Sequence, residues 1–275
     1  MTTKTPIAPP TPFGTPRIGT TNWYGLWTMY QKETRRFLKV WTQTVAAPCF
    51  TTLLFLAIFT MALGGAGRMA AGVDFSTFLA PGLVVMAVLQ NAYQNPSSSI
   101  MIGKVQGSIV DVLMPPLSAG ELMVAYVGGG VTRGLMVGTA LAVTFWAVPG
   151  IEMSIQHPWA VLYFFISASV MMSLVGVLTG IWAEKFDHTA AIMNFVVTPL
   201  SLLSGTFYSI TRLPDALQTV SHFNPFFYMI DGFRYGFIGH ADGDLTAGVA
   251  LTLTINIIMW IWGYTWLKNG YKLKP

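Results

Sequence analysis

The chain has 275 residues, of which 53% are hydrophobic and only 9% are charged. A soluble globular domain carries about 25% charged residues, so this chain has too few polar side chains to cover a surface in water. These values predict a polytopic membrane protein, exclude an ordinary soluble enzyme, and argue against a nucleic-acid binder. The net charge of +4 is small, so the placement of Lys and Arg along the chain is more informative than their sum.

The chain opens on a low-complexity segment, residues 1–22, in which Thr and Pro recur with almost nothing to bury. This composition predicts a disordered cytoplasmic leader.

Residues 23–39 follow a helical period with an aromatic face. The opposite face carries four cations: Lys32, Arg35, Arg36 and Lys39. A basic helix with an aromatic face is typical of one that lies in the membrane interface with its cations toward anionic lipid headgroups. Its role is either that of a juxtamembrane anchor alone or that of a docking element for a partner.

Six runs free of Asp, Glu, Lys and Arg mark candidate spans within residues 40–267. They are 40–67, 75–103, 134–151, 153–183, 188–211 and 245–267. The third run is short, and residues 122–132 extend it upstream with only Arg133 between them. Because about 20 apolar residues cross a bilayer, the chain is predicted to be an all-α protein with six transmembrane helices and a basic cytoplasmic tail, residues 268–275.

The Lys and Arg distribution predicts the orientation. With both termini in the cytoplasm, the inside segments carry Lys4, Arg17, Lys32, Arg35, Arg36, Lys39, Lys104, Lys185, Lys268, Lys272 and Lys274. The outside segments then carry Arg68, Arg212 and Arg234. Eleven cations against three favour cytoplasmic termini.

The sequence contains no catalytic or nucleotide-binding motif. Gly103-Lys104 lacks the glycine spacing of a phosphate-binding loop, and the four histidines are scattered without paired carboxylates. The single cysteine, Cys49, excludes an internal disulfide and a cysteine-based zinc site. No catalytic, cofactor or metal residue is therefore expected in this chain.

The cytoplasmic segment between spans two and three, residues 104–118, has a pattern suited to contact with another protein. It places a short apolar face beside two polar side chains: Ile109, Val112 and Leu113 beside Gln106 and Asp111. The segment is either a connector packed on the interface or a short helix that docks into a soluble partner.

The third span combines small residues with a charge. Gly128–Gly130 and Gly134 permit close approach of another helix. Arg133 lies at membrane depth, where an arginine is usually paired or faces water. It therefore belongs either to a polar pathway or to a structural pair.

Residues 205–240, between spans five and six, hold nine aromatic side chains as well as prolines and charges. The segment is too broken to cross the membrane and too aromatic for a free loop. Two short helices that re-enter from the outside fit it, although an aromatic belt at the interface is an alternative. Four aromatics are predicted to line or gate an exit: Tyr208, Phe226, Phe227 and Tyr228. Asp231 and Arg234 stand at i and i+3, so on a helix they could pair.

Three stretches resemble the ABC type-2 exporter permeases, and most closely the YadH-like bacterial inner-membrane permeases. They are FLAPGLVVMAVLQNAYQNPSSS (78–99), AYVGGGVTRGLMVG (125–138) and LSGTFYSITRLPDALQTVSHFNPFFYMIDGFRYGFIG (203–239). The resemblance implies six spans, an N-terminal connecting helix, a cytoplasmic coupling helix and a helical hairpin before span six. It also implies a homodimer that works with two copies of a separate ATPase subunit, which would bind ATP and Mg. The leader has no counterpart in the family pattern.

The leading hypothesis is a permease that moves a lipid, glycan or drug-like substrate outward across the inner membrane. A secondary transporter is an alternative, but it would need ion-coupling carboxylates at mid-membrane, and the long runs contain none. A non-transporting membrane scaffold is the other alternative. A neighbouring gene for an ATPase would favour the first hypothesis.

Overall fold

The structure, a computed structural model, describes residues 21–63, 69–70, 72–151, 153–210 and 214–273. The predicted leader falls almost wholly outside these ranges. In chain order the helices are α1 (Trp23–Leu38), α2 (Ala47–Leu63), α3 (Phe75–Val105), α4 (Ile109–Leu113), α5 (Ala119–Trp146), α6 (Pro158–Trp182), α7 (Phe186–Ile192), α8 (Thr198–Leu203), α9 (Asp215–Phe223), α10 (Pro225–Ile238) and α11 (Leu245–Asn269). The fold is all-α, apart from two short antiparallel strands, β1 (Met69–Ala70) and β2 (Val73–Asp74).

Two π-helical turns interrupt the regular helices. The first π-turn, Thr42–Ala46, leads into α2, and the second, Met193–Val197, joins α7 to α8. Residues 186–203 therefore form one continuous helical rod of three pieces, with a widened turn at its centre.

Within the described ranges, four helical segments are long and apolar enough to cross a membrane: Thr42–Ala62, Phe75–Val105, Pro158–Trp182 and Leu245–Asn269. α5 has 28 residues and is about 42 Å long at 1.5 Å per residue. It runs without a break through Arg133, so residues 122–132 and the charge-free run that begins at residue 134 belong to one helix. A capping box starts the helix earlier, because Ser118 and Glu121 satisfy each other's backbone N–H groups.

α3 lies at the centre of the fold and packs against α5 and α6. The most apolar window of α3 is 83% buried, whereas the corresponding windows of α2 and α11 are 11% buried. Glycines in α5 allow this packing: a Cβ on Gly130 would clash with Ser173 Oγ and lie 2.9 Å from the Ala92 carbonyl oxygen. The glycines at 129 and 130 are therefore used inside one chain and are not free for a second copy.

Cations predicted to be cytoplasmic meet at one end of the helices, called here the basic end. Lys104 Nζ donates to the carbonyl oxygens of Ile181, at 2.8 Å, and of Ala183. These bonds cap the last turn of α6. Lys272 Nζ donates to Glu184 Oε1 at 2.8 Å at the same end.

The other end joins the beginning of α3 to the end of α5 and the beginning of α6 to the end of α10. Ser76 Oγ donates to the Gly150 carbonyl oxygen at 3.3 Å. The Gln156 N–H donates to the Gly236 carbonyl oxygen at 2.9 Å. α3, α6 and α11 therefore run toward the basic end, and α5 runs in the opposite direction.

Candidate functional site

α4 is packed against the helices at the basic end. Ile109 is only 5% exposed and belongs to a cluster with Leu122, Tyr126 and Leu273. Gly270 adopts a left-handed conformation after α11, which turns the tail back so that Leu273 reaches this cluster. The tail, which the sequence analysis describes only as basic, therefore also contributes an apolar contact.

The predicted apolar face of α4 consequently points toward other helices of the same chain. Val112 and Leu113 are half-buried against the same cluster, so the expectation of an open apolar face formed with Ile109 is corrected. The side of α4 left exposed carries Val110, Asp111 and Met114, and Met114 is 76% exposed. Gln106, just before α4, is also exposed. Sequence periodicity identified the apolar face but could not identify its neighbour.

A groove of about 610 Å³ separates α4 from α1. Tyr24, Met29 and Lys32 line it from α1, and Asp111 and Val112 line it from α4. This groove, called here the α1–α4 groove, opens beside the exposed side of α4. It could hold an element of another protein between the two helices.

The start of α1 is tied to the start of α5. The Asn22 N–H donates to Glu121 Oε1 at 2.5 Å, and Asn22 Nδ2 donates to the Pro116 carbonyl oxygen at 3.3 Å. A displacement of α1 can therefore be transmitted directly to α5.

A buried ionic cluster holds the middle of α1 against α3. Glu33 is 0% exposed and accepts from Ser99 Oγ at 2.6 Å. Arg36 Nη2 lies 3.4 Å from Glu33 Oε2 and donates to the Asn95 carbonyl oxygen at 2.6 Å and to Asn95 Oδ1 at 2.9 Å. Arg36 Nη1 also donates to Ser98 Oγ at 3.1 Å. These residues form what is called here the α1 latch.

The α1 latch changes the interpretation of the basic face of α1. Lys32, Arg35 and Lys39 are exposed, as expected for cations directed toward lipid headgroups. Arg36 instead turns inward to α3, because the buried Glu33 carboxylate and the Asn95 oxygens offer it partners. Sequence analysis missed Glu33, although an acid on the apolar side of a basic helix could have signalled a buried pair.

Arg133 contacts the amide side chains of α3. Its Nη2 donates to Asn91 Oδ1 at 3.2 Å and to Gln94 Oε1 at 2.9 Å. This arrangement agrees with a structural partner for Arg133. Asn91 and Gln94 also line a groove between α2 and α3, so Arg133 stands behind a polar surface that sequence analysis did not identify.

The aromatic residues predicted to gate an exit are largely packed. Phe226, Phe227 and Tyr228 are buried on α10, which lies against α3, α6 and α11. Tyr208 is half-buried, and its hydroxyl donates to the carbonyl oxygens of Leu202 and Leu203 at 3.4 Å. The role of these four side chains at an exit stays a prediction.

Asp231 and Arg234, which are both described, do not form the predicted ion pair. Asp231 accepts from the N–H groups of Asp242 at 3.1 Å and Gly243 at 2.9 Å. Arg234 donates to the Gly205 carbonyl oxygen at 2.6 Å. Each charge thus holds α10 to a different loop. Backbone groups of these loops are the partners of the two side chains, in place of the contact between i and i+3.

Arg234 also makes a cation–π contact, with its guanidinium carbon 3.9 Å from the centroid of the Phe78 ring. This contact and the bond to the Gly205 carbonyl connect α10, α3 and the segment after α8. Arg234 therefore serves to hold three elements together.

Glu184 and Lys272 form an exposed ion pair outside the membrane-spanning helices. The hydrogen bond from Lys272 lowers the pKa of Glu184, and the same bond raises the pKa of Lys272. Among the described residues, no group of three His, Cys, Asp or Glu side chains could hold a metal ion.

Comparison with known proteins identifies a transport family. Residues 24–238 match the ABC-2 type transporter family. The chain is 38% identical over 254 residues to the inner membrane transport permease YadH of Escherichia coli K12, covering 92% of this chain and 98% of that protein. It is 24% identical over 234 residues to nodulation protein J of Neorhizobium galegae, covering 83% and 86%. Together with the apolar helices, these matches make the chain a multi-pass transport permease of the inner membrane, and it belongs to the ABC-2 type transporter family.

Proposed function

We propose that this chain is the permease subunit of an ATP-binding cassette exporter. It moves a lipid, glycan or drug-like substrate outward with energy from a separate ATPase, two copies of which bind ATP and Mg outside this chain. The observation that carries the proposal is the position of α4. It joins two core helices, packs against the end of a third through Leu273, and keeps one side exposed beside the α1–α4 groove.

The proposed topology has six spans with both termini in the cytoplasm. α5 and the helical rod of residues 186–203 supply the two crossings beyond the four apolar segments. Contacts at the basic end bring Lys104, Glu184 and Lys272 together, which supports a common cytoplasmic side for these segments. α1 then lies at the cytoplasmic interface, and α9 and α10 form a re-entrant hairpin on the outer side that gates the exit.

Energy enters through α4 and α1. An element of the ATPase inserts into the α1–α4 groove and contacts the exposed side chains of Val110, Asp111 and Met114. Movement of α4 reaches α5 and α11 through the buried Ile109, since interiors packed this closely transmit displacement. Movement of α1 reaches α3 through the α1 latch.

The functional unit is a homodimer. α2 and α11 have long apolar surfaces that the rest of the chain leaves largely uncovered. Lipid covers part of this surface, and a second copy covers the rest to enclose the path. A monomer that retained ATP-driven transport in nanodiscs would contradict this part of the proposal.

Co-purification of the chain with an ATP-binding cassette ATPase from its own cells tests the proposal. We expect Val110→Asp with Met114→Asp to reduce both the recovered ATPase and substrate-stimulated ATP hydrolysis at least tenfold, because two exposed contacts become charged. Phe186→Asp is the matched control: Phe186 is an exposed apolar residue near the basic end but outside α4. It should leave both values within twofold.

Unchanged values for the double variant would remove α4 as the coupling element and favour α1. Ile109→Asp is a poor test, because it would bury a charge and destabilise the fold. Mass spectrometry of lipids or glycans recovered with the intact complex would identify the cargo.

A further inference from the structure

A cavity of about 460 Å³ lies at the basic end, where the end of α3 and the helix α4 meet the tail that follows α11. Its charged lining consists of three side chains: Lys104, Glu184 and Lys272. Its apolar lining comes from the ends of the same segments: Val105, Ile109, Val110 and Leu273. We call this cavity the tail pocket, because the tail forms one of its walls.

The tail pocket lies at the depth where three apolar helices end. α3, α6 and α11 are each long and apolar enough to cross a membrane, and their charge-free runs end at residues 103, 183 and 267. Lys104 and Glu184 follow the first two runs directly, and Lys272 follows the third within the tail. Trp182 and Tyr271, which precede two of these residues closely, are each 41% exposed. Exposed Trp and Tyr side chains at such positions are typical of the headgroup level of a bilayer.

The charges that line the tail pocket are unbalanced. Lys104 Nζ donates to the carbonyl oxygens of Ile181 and Ala183, and among the described residues it forms no ion pair. Lys272 pairs with Glu184, so a single carboxylate faces two ammonium groups. An ammonium group has three N–H donors, and in the described contacts Lys104 uses two of them and Lys272 uses one. One surplus positive charge and three N–H donors therefore remain for an anion.

The backbone of Lys272 has an unusual conformation. Its φ is 51°, and in the part of the chain that the structure describes it is the only residue other than glycine with a positive φ. A residue with a Cβ is disfavoured in this left-handed region, and residues held in such conformations cluster at sites that bind a ligand. The turn that begins at the left-handed Gly270 places Lys272 in the wall of the tail pocket. This conformation is a second indication of a site, independent of the charges.

The lining also narrows the chemistry of the ligand. A phosphate carries negative charge on oxygens that accept charge-assisted hydrogen bonds, which matches the free N–H donors of the two lysines. A zwitterionic headgroup would add a third cation beside these two. Val105 and Val110 are 58% and 48% exposed, and such apolar walls favour a ligand with an apolar part over a free anion.

We propose that the tail pocket binds the phosphate group of an anionic phospholipid, such as phosphatidylglycerol. Lys104 and Lys272 donate to the phosphate oxygens, while Val105 and Val110 contact the apolar part of the lipid. A bound headgroup thereby links the end of α3 and the tail to α4. The inference goes beyond the proposed function and does not depend on an ATPase, since every residue that it uses belongs to this chain.

The test is photo-crosslinking of the purified chain in nanodiscs of dioleoylphosphatidylcholine. The probe is a trace of phosphatidylglycerol with a diazirine close to the glycerol end of one acyl chain, and the reference probe is phosphatidylcholine with the same labelled chain. Mass spectrometry of peptides measures the ratio of labelling by the two probes. We expect phosphatidylglycerol to be preferred about tenfold at peptides from the end of α3, α4 and the tail, as a charge-assisted hydrogen bond predicts. Inorganic phosphate at millimolar concentration should leave this labelling unchanged.

Two substitutions with opposite expected effects test the residues of the tail pocket. Lys272→Asn removes one ammonium group, and asparagine tolerates the left-handed backbone at this position, so the preference for phosphatidylglycerol should be lost. Glu184→Gln should instead raise the preference, because Lys272 is then free for the phosphate and the surplus positive charge rises. Lys268→Gln is the matched control, since Lys268 is an exposed lysine at the end of α11 that lies outside the pocket. It should leave the preference unchanged.

Equal labelling of these peptides by both probes would overturn the inference. An equal loss of preference in Lys268→Gln and Lys272→Asn would mean a response to surface charge in general, and it would overturn the inference as well. A preference that does not rise in Glu184→Gln contradicts the proposed role of the free ammonium group. Displacement by inorganic phosphate would assign the pocket to a free anion instead of a lipid. The assay contains no ATPase, so its failure is distinguishable from failure of the permease proposal, which rests on co-purification and ATP hydrolysis.

Discussion

Arg36→Met should release α1 from α3 by breaking the α1 latch. Arg36 is the cationic partner of Glu33, which is 0% exposed, and it donates three further hydrogen bonds to Asn95 and Ser98. Removing one partner of a buried ion pair costs about 3–5 kcal/mol. Because the Arg36 side chain is 29% exposed, we expect the lower end, about 3 kcal/mol. This corresponds to a rise of about 100-fold in the population with α1 detached.

Chymotrypsin cleavage after Phe37, measured in nanodiscs by mass spectrometry of the fragments, reports that population, because Phe37 is buried when α1 is docked whereas Tyr24 and Trp41 are already exposed. Arg35→Met is the matched control. Arg35 is the exposed neighbour, and its loss should change the stability by less than about 0.5 kcal/mol. The double variant Arg36→Met with Glu33→Gln should recover part of the lost stability, because no unpaired charge then remains buried. If Arg36→Met is cleaved no faster than Arg35→Met, the latch does not hold α1.

Three other substitutions test the packing and the loops. Gly130→Ala should lower the stability by about 2 kcal/mol through overpacking, seen as a lower thermal unfolding temperature. Gly120→Ala should be tolerated, because a Cβ there would lie in ordinary contact, 3.8 Å from a ring carbon of Tyr264. Asp231→Asn should lower the stability by about 1–3 kcal/mol. It should also speed hydrogen exchange of the two backbone N–H groups that donate to this carboxylate, and unchanged exchange would contradict this role. Lys272→Ala should return the pKa of Glu184 toward its ordinary value. In the unsubstituted chain the tail contact should be lost as pH falls through the lowered Glu184 pKa, and a spin label on the tail would report the change.

Four of the six predicted spans coincide with described helices that are long and apolar enough to cross a membrane, so this part of the fold could be predicted from the sequence. Charge-free runs locate the spans because lipid excludes unpaired charges, and this constraint acts on each segment separately. The short helix before Pro115 was predictable for a similar reason, since a proline pair ends a helix. Both signals are local, so neither depends on which helices become neighbours.

The partners of individual side chains could not be predicted in the same way. A helical period shows that Ile109 lies on an apolar face, but the folded-back Leu273 decides that this face is covered. Asp231 and Arg234 have the spacing of a pair, yet loops distant in the sequence satisfy them instead. Such contacts depend on tertiary packing, which a period of 3.6 residues does not encode.

Burial decides which polar side chains of this chain need a partner inside the protein. Glu33, Arg133 and Arg234 each bond to another helix or segment, as buried charges in an apolar environment must. Gln43 and Gln90 differ, because within the described residues no protein group satisfies their amides. Gln43 is exposed and Gln90 is half-buried, so neither amide carries the burial cost that makes an internal partner necessary for Glu33 and Arg234.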